Sequence, residues 1–303
     1  MSSPTATRAE PAGETYDHLR RLMFAIAYRM TGGVSDAEDI VQEAFLRLER
    51  ARREGTEIAS PKAWLSAVTT RLAIDHLRSA RVRHEQYVGP WLPEPVVAAD
   101  DPGPAERAEL ADSLSQAFLV VLETLSPVER AVFLLHDVFG YDYPQVAAAV
   151  GRREDNCRQI AARARRHVDA RRPRFDPDER LREELFERFL AAAQRGETEE
   201  LKALLADDAV LYSDGGGRAV AARRPILGAD RVARFMVGVT RKRLERAVTR
   251  ERRATVNGQP GRLLFLPDGR LWDVLAVDVV DGRIAAVRIV RNPDKLRHLE
   301  GAA

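Results

Sequence analysis

Residues 143–166, YPQVAAAVGRREDNCRQIAARARR, read as a short helix, a turn pivoting on Gly151, and a second helix carrying Arg158, Arg163, Arg165 and Arg166. Val146, Ala147 and Val150 fall on one face of the first helix, and Ala161 and Ala164 are small enough to let the second cross it closely. A helix presented in this way fits the major groove of B-DNA, where its early residues meet base edges and flanking arginines neutralise phosphates. Asn156, Arg158 and Gln159 are types that make bidentate base contacts, whereas Glu154 and Asp155 repel phosphate and equally suit the positive end of a helix without DNA. An arginine-rich amphipathic helix is also consistent with a plain solvated face, so the segment makes DNA the first partner to test.

The rest of the chain must position that helix. Its 303 residues exceed one ordinary domain and predict two or three compact units. A net charge of +2 is too small to mark the whole chain as a nucleic-acid binder, so a DNA surface must be local, and basic charge gathers between Arg152 and Arg172. The single cysteine, Cys157, excludes an intramolecular disulfide framework and a Cys-based zinc site, and its apolar-facing helical position suits packing. The N-terminal MSSPTATRAEPAGETYD lacks the apolar core of a signal peptide, and no apolar run approaches membrane-spanning length. A soluble, cytoplasmic chain with no membrane partner, no metal and no cofactor is expected.

After a tail over residues 1–13, helical spacing of Leu19, Leu22, Met23, Ile26 and Ala27 predicts a helix to the Thr31-Gly32-Gly33 turn. Ser35 and Glu38 form a capping-box pattern for a second helix with an apolar stripe of Val41, Ala44, Phe45 and Leu48. Asp36, Asp39 and Glu43 make its start acidic, which suits the helix dipole and equally a docking face for a basic partner. Ser60-Pro61 opens a third helix whose buried side is expected to hold Trp64, Leu65, Val68, Leu72 and Leu77, with His76 facing solvent. Residues 85–105, rich in Pro and acids, read as a linker. Helical periodicity resumes over 106–124 through Leu110, Leu114, Ala117 and Val121, and Ser126-Pro127 opens a helix to Val138, so that 106–172 forms a helical module. A second linker, 173–180, contains Pro173, Phe175 and Pro177.

The remainder, 181–300, starts with two amphipathic helices, then a short strand at 210–212, the DGGGR segment at 214–218 and a helix near 229–239. Three β-rich runs follow, LLFL, LWDVLAVDVV and IAAVRIV, separated at Gly269 and Asp281-Gly282, which predicts an α+β domain with a meander. Tyr212, Trp272, Asp273 and Asp278 are candidates to line a pocket, although an aspartate in a strand more often faces solvent. Three glycines in DGGGR are accounted for by a turn with φ above zero.

Taken in order, YRMTGGVSDAEDIVQEAFLRL (28–48), PKAWLSAVTTRLAIDHLRSARVR (61–83), WLPEPVV (91–97), LSPVERAVFLLHDVFGYDYPQVAAAVG (125–151), DGGGR and NPDKL (292–296) resemble an extracytoplasmic-function sigma factor of the SigJ-like group with a C-terminal SnoaL-like domain. The resemblance covers nearly the whole chain. It implies a multidomain fold: two all-α helical sigma domains (14–84 and 106–172), the second a helix-turn-helix, followed by an α+β SnoaL-like cone domain (181–300). It also implies core RNA polymerase and promoter DNA as partners. Asp36, Asp39, Gln42 and Glu43 correspond to the polymerase-docking segment, and Arg71, Arg78, Arg81 and Arg83 lie on the segment that captures the −10 element. Asn156, Arg158, Gln159, Arg163, Arg165 and Arg166 correspond to the reader of the −35 element. Asp214, Gly215, Gly216, Gly217 and Arg218, with Asn292, Pro293 and Asp294, become candidates for an intramolecular regulatory latch, and the cone for a small-molecule ligand. Arg71 stands where many relatives have Asn, and Arg153 replaces the usual Ser or Thr cap of the recognition helix. The alternatives are a ligand-sensing DNA-binding regulator and a cyclase-like enzyme fused to a DNA-binding module.

Overall fold

The computed structural model describes residues 12–85, 87–97, 115–171, 178–245 and 250–300. Three helices open it: α1 Ala12–Thr31, α2 Val34–Arg53 and α3 Pro61–Glu85. α1 buries Leu19, Met23, Ile26 and Ala27, and α2 buries Val41, Ala44 and Leu48, as their spacing predicts. Gly32 takes φ +72° between them. The expected capping box is displaced, because α2 already begins at Val34, whose N–H donates to Glu94 Oε2 at 2.8 Å. α3 starts at Pro61, with Ser60 Oγ accepting from the Ala63 N–H at 3.3 Å.

The buried face of α3 differs from expectation. Leu65, Ser66, Thr69, Thr70, Ala73 and Ile74 are buried, whereas Trp64, Val68, Leu72 and Leu77 are half-buried. Ser66 Oγ bonds back to the Lys62 carbonyl at 2.8 Å, whereas the buried hydroxyls of Thr69 and Thr70 have no hydrogen-bond partner among the described residues.

Next come α4 Gln116–Leu122, α5 Pro127–Phe133, a π-helical turn Leu134–Val138, α6 Tyr143–Val150 and α7 Glu154–Asp169. Of the helix expected over 106–124, the described part is capped by Ser115, whose backbone is extended (ψ 140°) and whose Oγ accepts from the Phe118 N–H at 3.2 Å. Asp142 and Gln145 form a full capping box on α6, and Gly151 at φ +66° ends it, giving the helix-turn-helix. Val146, Ala147, Ala161 and Ala164 are buried as expected, and burial of Cys157 pushes its thiol up.

The C-terminal region comprises α8 Glu179–Arg195, α9 Thr198–Leu204, β1 Leu205–Asp214, β2 Ile226–Leu227, α10 Ala229–Glu245, β3 Arg250–Val256, β4 Gln259–Phe265, β5 Leu271–Val280, β6 Arg283–Val290 and a single turn α11, Pro293–Leu296. A 3-10 turn, Arg297–Leu299, follows α11. The sheet order is β2-β1-β6-β5-β4-β3: β3 to β6 form an antiparallel meander, and β1 lies parallel to β6. Alternation assigns each face its own core. Leu211, Leu275, Val277, Val287 and Ile289 pack with Phe186, Phe189, Leu201 and Met236 of the helices. On the other face Val274, Ala276 and Val290 pack with Leu92, Leu296 and Leu299.

Strand β3 is an addition to the expected elements. Its hairpin with β4 turns on Asn257 (φ 50°) and Gly258 (φ 74°), the same geometry as the anticipated Asp281-Gly282 turn (φ 49° and 69°).

By density of contacts the chain forms two compact units. One gathers α1, α2 from Ser35, α3 to Arg78 and Pro127–Ala162; the other gathers Gly32–Val34, Ser79–Ser126 and the chain from Arg163 onward. These groupings cross the expected module boundaries, and the segment 87–97 belongs with the sheet. Residues 1–11 of the expected tail, 98–105 of the first linker, Leu110, Leu114, and Pro173, Phe175 and Pro177 lie outside the described residues.

A β-branched side chain at a left-handed turn position costs roughly 1–3 kcal/mol. Gly258→Val is therefore expected to lower the stability of the sheet unit by that amount in thermal or urea melts, while Thr255→Val, on the strand beside it, changes it by less than about 0.5 kcal/mol.

Candidate functional site

β1 ends on Asp214, a carboxylate with no exposed surface. Its Oδ1 accepts from the Tyr87 hydroxyl at 2.5 Å and the Gly216 N–H at 3.1 Å, and its Oδ2 accepts from the Leu92 N–H at 2.8 Å and Lys295 Nζ at 2.7 Å. Four donors saturate an ionised carboxylate. The Asp214 carbonyl in turn accepts from the N–H groups of Arg291 and Asn292 at 2.8 and 3.0 Å. One residue thus ties together the glycine loop, the C-terminal NPDKL turn and the segment 87–97.

Lys295 is the cation of this centre. Besides Asp214 it donates to the Leu92 carbonyl and lies over the rings of Trp91 (4.4 Å) and Tyr87 (4.8 Å). Burial pulls its pKa down and Asp214 opposes that pull, while burial followed by the Asp214 charge pushes the Tyr87 phenol up. Asn292 caps α11 by accepting from the Asp294 N–H at 3.1 Å and donates from Nδ2 to the Tyr87 oxygen at 3.0 Å. A Cβ at Gly216 (φ +57°) would collide with the Asn292 side chain and stand 2.9 Å from the Tyr87 oxygen, so glycine is required there by both conformation and space.

The segment 87–97 is anchored at further points. Glu94 N–H donates to the Gly32 carbonyl at 2.8 Å, and the Pro95 carbonyl meets His298 Nε2 at 2.8 Å. Val96 and Asn257 exchange two hydrogen bonds (2.8 and 3.1 Å) beside a bridge between Val97 and Val256. Leu92 is buried in the sheet's second core. The expected free linker is, over these residues, a docked extended segment; its partners at Asp214, Asn257, Lys295 and His298 lie more than a hundred residues away in sequence, where local composition gives no sign of them.

Among the sequence-predicted regulatory residues, Asp214, Gly216 and Asn292 meet at this centre, Gly215 lies against Ala219 and Ala221, Gly217 against Val88, and Arg218 pairs with Asp294 at 3.2 Å. Pro293 is exposed at the first position of α11. Tyr87, Trp91, Leu92 and Lys295 are functional candidates that sequence reasoning missed. Lys295 sits inside the quoted NPDKL, the signal that was available.

Among the expected polymerase-docking residues, Asp39 and Gln42 are exposed, Glu43 binds Arg47 at 2.8 Å, which holds its carboxyl below the usual range, and Asp36 lies 3.3 Å from His76. His76 is therefore half-buried against a carboxylate, a correction to its expected solvent-facing role. Of the −10 candidates, Arg78 pairs with Asp75 at 3.4 Å, and the side chains of Arg81 and Arg83 lie outside the described set. Arg71 donates from Nε to the Ala149 carbonyl at 3.0 Å and from Nη2 to the Ala148 carbonyl at 2.5 Å, so it fills the open carbonyls at the end of α6. The same unit holds Ser66 Oγ and the Tyr141 hydroxyl 2.6 Å apart and joins Arg130 to the Met30 carbonyl at 2.5 Å. On α7, Asn156, Arg158, Gln159, Arg163, Arg165 and Arg166 are all exposed. Arg158 pairs with Glu154 at 3.3 Å and stacks on Tyr143 at 4.4 Å, which gives the acidic start of α7 an intrahelical role.

Strand aspartates expected to face solvent are buried instead. Asp273 accepts from Arg243 (3.1 Å) and Arg291 (2.6 Å), and Asp278 pairs with Arg288. Burial raises the Asp278 pKa against the pull of Arg288. Trp272 stacks with Arg291 at 4.5 Å, and Tyr212 faces Arg288 at 5.6 Å. Among the described residues no group of three or more His, Cys, Asp or Glu is placed to hold a metal, and no helix is long and apolar enough to cross a membrane.

The family model for Sigma-70 region 2 matches residues 15–83, and that for Sigma-70, region 4 matches residues 115–168. The chain is 39% identical over 289 residues to the ECF RNA polymerase sigma factor SigJ of Mycobacterium tuberculosis, covering 92% of this chain and 91% of that protein. It is 32% identical to the probable ECF RNA polymerase sigma factor SigI of the same organism, covering 95% of each. The crystal structure of Mycobacterium tuberculosis SigJ superposes with a TM-score of 0.76 at 36% identity, covering 94% of this chain and 98% of that one.

Removing one partner of a buried ion pair costs about 3–5 kcal/mol because the other charge remains uncompensated. Asp214→Asn is expected to release residues 87–97 to limited proteolysis, and Asp214→Asn combined with Lys295→Met to restore part of the protection. Equal cleavage of wild type and Asp214→Asn would contradict the assignment of this centre.

Proposed function

We propose regulated initiation of transcription, from the premise that the chain belongs to the extracytoplasmic-function RNA polymerase sigma factors: it binds core RNA polymerase and directs it to promoter DNA. In this reading Asp36, Asp39, Gln42 and Glu43 dock on polymerase, with Asp39 and Gln42 the exposed members of the acidic face. Arg71, Arg78, Arg81 and Arg83 serve the −10 element, where unstacked bases and phosphates need a basic groove. Asn156, Arg158 and Gln159 read −35 base edges while Arg163, Arg165 and Arg166 contact phosphates. The protein acts in the cytoplasm and carries out no catalysis of its own; the pairing of Asp273 and Asp278 with arginines supports the absence of a free general base.

Regulation rests on the Asp214 centre, the observation that carries this reading. It holds the connection between the two promoter-reading modules on the C-terminal domain, so the docked segment sets a resting state. A second restraint supports it. The −10 and −35 elements are separate stretches of one promoter. Arg71 bonded to α6 holds a −10 residue against the helix-turn-helix, and that contact must open before both elements are read.

Reconstitution with bacterial core polymerase tests the function, and failure to form a promoter-specific open complex in low salt would sink it. Each lost phosphate contact lowers the slope of log K against log salt by about 0.9 on duplex DNA. Arg165→Ala and Arg166→Ala are expected to show that change with unaltered sequence preference; an altered preference assigns them to base readout instead. Asp214→Asn and Gly216→Ala are expected to raise promoter output several-fold in the same assay, a coupling of about 1–3 kcal/mol. Unchanged output from both variants would remove the regulatory role.

A further inference from the structure

The docked segment builds one wall of a cavity of about 340 Å³ on the sheet face opposite the C-terminal helices. That volume lies at the lower end of the range for small-molecule sites, roughly 300–1,000 Å³. Trp91 and Leu92 of the docked segment line it together with Tyr212 of β1, Arg288 of β6, Val120 and Arg223. Two aromatic and two aliphatic side chains make its lining largely apolar.

Its cations give it polarity. Arg288 is only 6% exposed; it pairs with Asp278 and lies over the Tyr212 ring, yet its Nε has no hydrogen-bond partner among the described residues. A buried donor left in this way carries a desolvation cost that an arriving acceptor removes. Arg223 brings a second guanidinium at an exposed position. Two guanidiniums against the single Asp278 carboxylate leave one positive charge, which matches a monoanion, and the planar fork of arginine matches a carboxylate. We propose that this cavity binds a small planar aromatic carboxylate, which stacks between Trp91 and Tyr212 and directs its carboxylate to Arg223 and Arg288. Because Trp91 and Leu92 belong to the docked segment, such a ligand favours the docked state and adds a chemical input to the regulation proposed above, on which this consequence rests. Binding to the docked form alone stabilises it by RT ln(1 + L/Kd), where L is the free ligand concentration, so the stabilisation grows with the logarithm of ligand concentration.

The test uses the full-length protein, with 2-naphthoate as probe and 2-naphthylmethanol as its uncharged counterpart, titrated by calorimetry. Saturable one-to-one binding of the acid is expected, about tenfold weaker in Arg223→Ala and about tenfold weaker for the alcohol. Tyr212→Ala is expected to weaken both probes. Absence of saturable heat, equal affinity for acid and alcohol, or an unchanged affinity in Arg223→Ala overturns the proposal. Proteolysis of residues 87–97 separates this from the resting-state reading. Added 2-naphthoate is expected to slow cleavage in the wild type and not in Arg223→Ala. If Asp214→Asn releases the segment and the wild type binds no naphthoate, the regulatory reading stands and the ligand site fails. If naphthoate binds yet Asp214→Asn stays protected, the site stands and the segment release fails.

Discussion

A carboxylate sealed from water must collect donors or give up its charge, and Asp214 collects four. Everything distinctive in the C-terminal half is arranged around that requirement. The glycine loop turns back so that the Gly216 N–H reaches the carboxylate, α11 brings Lys295, and the segment 87–97 supplies the Tyr87 hydroxyl and the Leu92 N–H. An apolar plug of similar volume would hold the same segments at least as firmly, since buried ion pairs seldom exceed well-packed hydrophobic contacts in stability. What the charged centre adds is an all-or-none character. With any donor displaced, the remaining charge has no solvent to turn to, so partial undocking is unfavourable and the segment is either fully held or released.

The helical half was legible because each helix carries its own boundary signals. Ser60-Pro61 and Gly151 act within a few residues of where they are written, and the structure places them as expected; the Asp142 box was not read from the sequence, and the Ser35/Glu38 box is displaced by the start of α2 at Val34. Strand β3 escaped because RERRATV has no alternation of apolar residues; it lies at the sheet edge, where charged side chains are tolerated, and only Asn257-Gly258 announced it. The α3 face was misread for a related reason: buried threonines and serine look polar in a periodicity analysis, although Ser66 is satisfied by its own helix and Thr69 and Thr70 are buried with their hydroxyls unpartnered among the described residues.

The regulatory centre was legible in part. The turn reading of DGGGR matches the geometry, since Gly216 and Gly217 take positive φ; Gly216 also leaves room for Asn292 and Tyr87, the packing on which the proposed regulatory role of the loop rests. The segment 87–97 offered three prolines, the composition of a spacer, and the WLPEPVV motif, which carried the resemblance without saying what it contacts. Tyr87 and Asp214 are 127 residues apart, and no local pattern encodes such a pairing.

Those prolines explain how a spacer can also be a docked segment. Ordering a residue costs about 1–2 kcal/mol of backbone entropy, which offsets much of what hydrogen bonds and the burial of Leu92 contribute. Pro90, Pro93 and Pro95 have φ fixed before docking, so less freedom is lost at these positions. They also bring no N–H that would need a partner, while the carbonyls of Pro93 and Pro95 serve as acceptors for Gln116 Nε2 and His298 Nε2. The segment is thus preorganised to dock, and in the regulatory reading proposed above the Asp214 carboxylate, with a ligand against Trp91, sets the balance between its held and released states.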